Sequence, residues 1–338
     1  MITNPRVLED DTPPQEIVHR EGQITHLESV LEPLQRGQRV NGAFIYGPTG
    51  AGKTCTAEFL LDELAESADV ETHLIDCWPN STFTAVCRRL LEGLGEVYQP
   101  NTPTDELTMQ IREAIDKPYV VVLDEADQLA DQTILHELHQ NPQVTMLLVA
   151  NRHDEFYSHL DQGVHSRLVN YRDVEFRRYR DDELVAILVD RVESGVRPGA
   201  ISDARLREIA EAADGDARVA IGILRNALET ASARGASTVD HGTVLEVVPS
   251  ARREILQKTF SKLTRDQRVL YQILVEAGEQ RMGEIQAAYR ERVDDPSARR
   301  TLTRHLKKMA HYDLVGFDGE NSARRYWAAT DELYPETA

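Results

Sequence analysis

Residues 47–54 read Gly-Pro-Thr-Gly-Ala-Gly-Lys-Thr and follow directly on the apolar run Ala43-Phe44-Ile45-Tyr46. A buried strand that turns through GxxxxGK[ST] into a helix implies an ATP or GTP site in an α/β fold. Glycines in the loop let the backbone N–H groups of Gly47, Thr49, Gly50, Ala51 and Gly52 turn around the phosphates, while Pro48, which has no N–H, supplies backbone shape. Lys53 is expected to reach the β and γ oxygens, and the Thr54 hydroxyl to ligate Mg²⁺.

The loop alone also fits a Gly-rich helix cap, so a second motif is needed. Tyr119-Val120-Val121-Val122-Leu123 is a continuous apolar run of the kind buried in a parallel sheet, and it ends in Asp124-Glu125-Ala126-Asp127. This is the pattern of a Walker B strand. Asp124 is then expected to hold Mg²⁺ through water, and Glu125 to orient the attacking water. A further apolar run, Thr145 to Ala150, ends in Asn151, whose place beside the two motifs suits a contact to the lytic water or γ-phosphate.

The 338 residues suffice for two or three domains with cores of their own. Residues 1–15 hold acidic groups and three prolines, which predicts a flexible leader rather than a secretory signal. No run approaches a membrane span, so no membrane partner and a cytoplasmic, chromosome-associated location are expected. Cys55, Cys77 and Cys87 have no CxxC spacing and read as reduced packing residues, and His136-Glu137-Leu138-His139 is one residue short of HExxH.

From residue 16 to 180 apolar strands alternate with amphipathic helices, which predicts a nucleotide-binding base domain with a parallel sheet. Strands are expected at Ala43–Tyr46, Thr72–Asp76, Tyr119–Leu123, Thr145–Ala150 and Val174–Phe176. Residues 181–250 read as helices only, a small lid, the last of them ending at Val248. Residues 255–338 read as three helices and a hairpin around Gly319, the outline of a winged helix.

Charge separates these parts. The chain carries 57 acidic and 38 basic residues, a net charge of −19, with only six lysines, a composition that suits a halophile surface. Residues 251–338 nonetheless hold 16 basic and 14 acidic side chains, against 22 and 43 in the first 250. A balance of +2 beside −21 points to a polyanionic partner for the last domain, the alternative being uneven surface composition.

On the third helix of that domain, Arg300, Arg304, Lys307 and Lys308 fall on one side at 100° per residue, and Leu302, Leu306 and Met309 on the other. A helix with one packed and one cationic face suits the major groove of double-stranded DNA, with Thr303 nearby. Arg324 and Arg325, beside Tyr326 and Trp327, are placed in the wing to follow the backbone or enter the minor groove. The plain alternative is a solvated helix face.

Two more arginines follow polar segments, Arg167 in Ser166-Arg167-Leu168 and Arg218 in Gly215-Asp216-Ala217-Arg218. With these in place the chain resembles the AAA+ ATPases of the archaeal origin-recognition and cell-division-control family, the replication initiators. The resemblance runs from His19-Arg20-Glu21-Gly22-Gln23 to the final hairpin and is most specific at Gly215-Asp216-Ala217-Arg218 with Leu224-Arg225-Asn226-Ala227. It implies ATP/ADP and Mg²⁺ as ligands, His19 and Arg20 on the adenine side, Asn151 as sensor 1, Arg218 as sensor 2 and Arg167 as an arginine finger. It also implies origin DNA, the replicative helicase and other initiator copies as partners, slow regulatory hydrolysis and, with the acidic surface, a haloarchaeal source. Asp76-Cys77 stands where the family usually has Asn-Cys. Other readings are a diverged paralogue acting as a nucleotide-binding regulator of DNA, or an AAA+ helper in transposition or plasmid maintenance.

Overall fold

The structure, a computed structural model, describes residues 1–9, 12, 14, 17–320, 323–330 and 333. It divides into two units, Met1–Val248 and Pro249–Ala338. In the first, α1 (Glu21–Leu31) leads to β1 (Ala43–Tyr46), α2 (Lys53–Ser67), β2 (Glu71–Asp76), α3 (Phe83–Gly93), α4 (Thr104–Ala114) and β3 (Tyr119–Asp124). Then come α5 (Thr133–Gln140), β4 (Val144–Ala150), α6 (His153–His159), α7 (Gln162–Leu168) and β5 (Arg172–Glu175).

The five strands form a parallel sheet in the order β2-β3-β4-β1-β5. Successive side chains of a strand point to opposite faces, so β3 feeds two cores at once. Val121 and Leu123 pack with Phe44, Leu148 and residues of α3, α4 and α5, whereas Val120 and Val122 pack with Ile45, Val149 and residues of α1 and α2. Burial on both faces is why β3 and β4 are apolar throughout rather than alternating. Because β4 lies between β1 and β3, Asn151 emerges between the phosphate loop and the Asp124-Glu125 turn.

The lid comprises α8 (Asp181–Gly195), α9 (Asp203–Ala213) and α10 (Ala217–Ala233). The next helix, α11 (His241–Ser261), does not stop at Val248: it continues over Pro249, at which the two units divide. One helix therefore occupies both the end of the expected lid and the expected linker at 251–254.

Residues 1–9, expected as part of a flexible leader, are docked on the lid. Ile2 bridges to Val196, Pro5–Leu8 form a turn of 3-10 helix, and Leu8 is 1% exposed. Apolar Leu8 and Val7 give the segment something to bury, which a count of prolines and acids overlooks. The short helices α6 and α7 were also not expected. Each has seven residues, too few for periodicity to register, and α6 is held by Phe156 stacked on Phe44 at 4.8 Å.

The second unit runs α12 (Arg265–Ala277), β6 (Gln280–Arg281), α13 (Met282–Arg292), α14 (Arg299–His311), β7 (Val315–Asp318) and β8 (Arg325–Ala328). Its antiparallel sheet has the order β6-β8-β7, completing a winged-helix arrangement. Leu302, Leu306 and Met309 of α14 are fully buried with Leu270, Ile285 and Leu314 in its core.

Candidate functional site

The phosphate loop is shaped by close approaches that exclude side chains. A Cβ on Gly47, at φ +150°, would lie 2.0 Å from the Phe176 carbonyl oxygen, and one on Gly50, at φ +71°, 2.0 Å from Asp216 Oδ1. The first contact seats the loop on the strand end beyond β5, and the second seats it against the lid.

Lys53 opens α2 and is 8% exposed. Its ammonium donates to Gly47 O (2.7 Å), Pro48 O (2.8 Å) and Asn151 Oδ1 (3.1 Å). Burial pushes its pKa down to about 8, against the upward pull of Glu125 and Asp124. Thr54 Oγ1 donates to Asp124 Oδ2 at 2.8 Å. Burial first, and the Glu125 carboxylate second, hold the Asp124 carboxyl above the usual carboxylate range, while Thr54 and Lys53 pull it back. A carboxylate so placed gains from a nearby cation.

Glu125 sits in the left-handed region at φ +55°, a conformation that costs a non-glycine residue of order 1 kcal/mol. The turn aims its carboxylate at the cavity, where Asn151 Nδ2 donates to Glu125 Oε2 at 3.5 Å. Asn151 thus touches both the loop lysine and the glutamate.

On the lid side, Asp216 caps α10 by accepting from the backbone N–H groups of Arg218 (2.9 Å) and Val219 (3.3 Å). The Arg218 guanidinium donates to the same carboxylate, Nη2 to Oδ2 at 3.2 Å. Ala217 N donates to Gly50 O at 3.1 Å, a direct bond from lid to phosphate loop.

Thr49, Gly50, Ala51, Gly52, Lys53, Thr54, Asp124, Glu125, Asn151 and Arg218 all line one cavity of about 260 Å³; Gly47 and Pro48 lie beneath it, their carbonyls taken by Lys53. Its apolar end is built by Ile17, Val18, Tyr179, Ile187 and Ile221. His19 and Arg20 are not among the residues that line it. Arg20 is 4% exposed, donates to Ala51 O (3.1 Å) and Arg177 O (2.8 Å), and lies 3.8 Å over the Tyr179 ring. It ties the loop to the chain beyond β5, and Val18, two residues earlier, is among the residues that line the cavity.

Arg167 is not among the lining residues either; it lies in the last turn of α7 and donates to Gly163 O in its own helix.

The donor set suits Mg²⁺. Among the described residues no group of three or more His, Cys, Asp or Glu could hold a metal alone, and a Thr hydroxyl beside one carboxylate is the protein share of a site that phosphates and water complete.

In the second unit Arg300 and Lys307 are exposed on α14, and Arg304 is half-buried, its pKa lowered by burial and then by Arg300. Lys308 departs from the expected solvent-facing cationic side: it is 7% exposed. The Thr303 hydroxyl donates to Arg299 O at 3.0 Å. On the wing, Arg324 lies 4.7 Å over the Phe317 ring, and Arg325 is exposed 3.6 Å from Glu279. The tip residues Asn321 and Ser322 lie outside the described residues. No helix among the described residues is long and apolar enough to cross a membrane.

Two family models match the chain, an AAA domain over residues 38–160 and a Cdc6 AAA+ ATPase-type lid domain over residues 185–247. The chain is 40% identical to ORC1-type DNA replication protein 1 of Halobacterium salinarum, across 89% of this chain and 99% of that protein. It is 35% identical to ORC1-type DNA replication protein 9 of the same organism, across 96% and 93%. Among solved structures, the Aeropyrum pernix ORC1 protein in complex with DNA superposes with a TM-score of 0.78 at 25% identity, covering 98% of this chain and 95% of that one.

Proposed function

Because the chain belongs to the ORC1-type DNA replication proteins, we propose that it is an ATP-dependent initiator that binds origin DNA and helps to load the replicative helicase. The observation that carries this reading is one chain bearing both the Lys53-Asn151-Glu125 cavity and a winged helix with arginines exposed on α14.

Phosphates entering the cavity meet the backbone N–H groups of Thr49 to Thr54, and Lys53 exchanges its bonds to Gly47 and Pro48 for phosphate oxygens. Thr54 and Asp124 would hold Mg²⁺, which would supply positive charge to offset the negative charge developing in transfer. Glu125, turned inward by its left-handed backbone, orients the attacking water, and Asn151 holds that carboxylate in register with Lys53. Arg218 turns from Asp216 to the γ-phosphate, so the lid senses which nucleotide is bound. Arg167, on a helix away from its own cavity, acts in a neighbouring copy. With the finger supplied in trans, an isolated copy hydrolyses ATP slowly and the nucleotide works as a switch.

Arg300 and Arg304 read base edges and Lys307 the backbone, while Arg324 and Arg325 follow the minor groove beside α14. Counterion release weakens phosphate contacts as salt rises, so base contacts and DNA deformation carry specific binding in molar KCl.

The deciding experiment is chromosomal occupancy in the native host by crosslinking, for the wild type and for the Arg300→Ala/Arg304→Ala variant. A few sharp, arginine-dependent peaks where replication begins are expected. Diffuse occupancy, or peaks at promoters or mobile elements, would replace the initiator reading with a regulator or helper.

A further inference from the structure

Arg191 of α8 is 5% exposed and serves two structures at once. It lines the nucleotide cavity with Ile187 and Asp190 of the same helix. It also donates from Nη1 to Val7 O (2.7 Å) and from Nη2 to Thr12 O (2.9 Å), two carbonyls of the N-terminal segment. Thr12 and Pro14 line the same cavity, beside Ile17 and Val18.

The segment is fastened along the lid at further points. Thr3 N and Asn4 N donate to Gly195 O (2.9 and 3.2 Å), Arg197 N donates to Met1 O (2.9 Å), and Arg225 pairs with Glu9 at 2.8 Å. Gly195 is the seat of this contact, since a Cβ there would lie 2.1 Å from Val7 Cγ2 and 2.8 Å from Asn4 O.

We propose that residues 1–9, together with Thr12, act as a lid-borne strap, with Arg191 as the positioning residue that couples docking of the strap to nucleotide binding. The inference rests on the cavity being the nucleotide site. A guanidinium in the cavity wall holds both carbonyls only while the strap is docked, and the docked strap in turn places Thr12 at the cavity. Two events that share one wall are linked, and linkage is reciprocal: the strap tightens nucleotide binding by the factor by which nucleotide tightens the strap.

The test uses the full chain. Trypsin cuts after Arg6, inside the docked turn, so the rate of cleavage at Arg6–Val7 reports undocking. ATP is expected to slow this cut about fivefold or more, the lower end of ordinary coupling. Gly195→Val, which strikes the strap through Val7 without replacing a cavity residue, is expected to speed the cut and to weaken ATP binding by a similar factor. Arg191→Lys, which keeps the charge but loses the two-pronged donor, is expected to abolish the ATP effect on cleavage. Wild-type cleavage that ATP leaves unchanged, or Gly195→Val that frees the strap at undiminished ATP affinity, overturns the proposal. Should Gly195→Val fail to fold, the wild-type cleavage ratio decides alone. A wild-type chain that binds no ATP at all removes the nucleotide reading itself, a separate failure.

Discussion

The carboxylate of Asp216 occupies the space in which a side chain on Gly50 would begin: a Cβ there would be 2.0 Å from Oδ1 and 2.1 Å from Cγ. The phosphate loop and the lid helix α10 therefore meet without any intervening side chain, and Asp216, which caps that helix and pairs with Arg218, lies directly against the loop.

Gly50→Ala tests this directly. It is expected to displace Asp216, cost about 1–2 kcal/mol through the lost cap and the strained positive φ, and turn Arg218 away from the cavity. Thermal unfolding and ATP hydrolysis should both fall. Asp216→Asn, which retains a capping oxygen but not the charge, should keep most of the stability and still mis-set Arg218.

Lys53 and Glu125 lie in the same cavity with separable tasks. Lys53→Ala removes charge-assisted bonds worth about 2–4 kcal/mol to bound phosphate, so ATP affinity should fall roughly 30- to 1000-fold. Glu125→Gln should keep affinity within about threefold and lower turnover by about 100-fold or more. Fluorescent-nucleotide titration paired with single-turnover hydrolysis separates the two, and equal loss of affinity in both variants would contradict the assignment.

Exposure divides the basic residues of α14. Arg300→Ala is expected to cost about 1–3 kcal/mol of DNA affinity and relax preference at one base position, and Lys307→Ala to lower the salt slope by about one. Lys308→Ala, at a position 7% exposed, should leave the salt slope unchanged and reduce the stability of its unit instead. DNA titrations across a KCl series report all three.

His305 of α14 is held neutral. Gln267 Oε1 accepts from Thr264 N (3.0 Å), so its amide nitrogen is the donor toward His305 Nδ1 at 3.2 Å. Burial first, then Arg304, pushes the His305 pKa down to about 4, with Lys308 adding to the shift and Asp266 opposing it. Between about 6.5 and 4 the unfolded chain takes up a proton that the folded one refuses. This contribution is therefore fully present above about 6.5 and is lost as pH falls through that window, on the order of 3 kcal/mol. Protection factors of the α12 and α14 amides, taken relative to the intrinsic exchange rate at each pH, should fall as pH is lowered over that range, and His305→Gln should flatten the dependence.

The sequence by itself determined the phosphate loop, the β3 motif, Asn151, Arg218 and the order base, lid, winged helix, because each is written in contiguous residues. A GxxxxGKT turn after an apolar strand, or an Asp before an amphipathic helix, carries its geometry in the local chain. What only the tertiary structure decided are relationships between segments far apart in sequence: Asp216 against Gly50, Arg191 holding Val7 and Thr12, and Arg20 stacked on Tyr179. The same reason buried Lys308 among the basic residues of α14. Periodicity gives the direction of a side chain relative to its own helix, but burial depends on which distant element arrives to cover it.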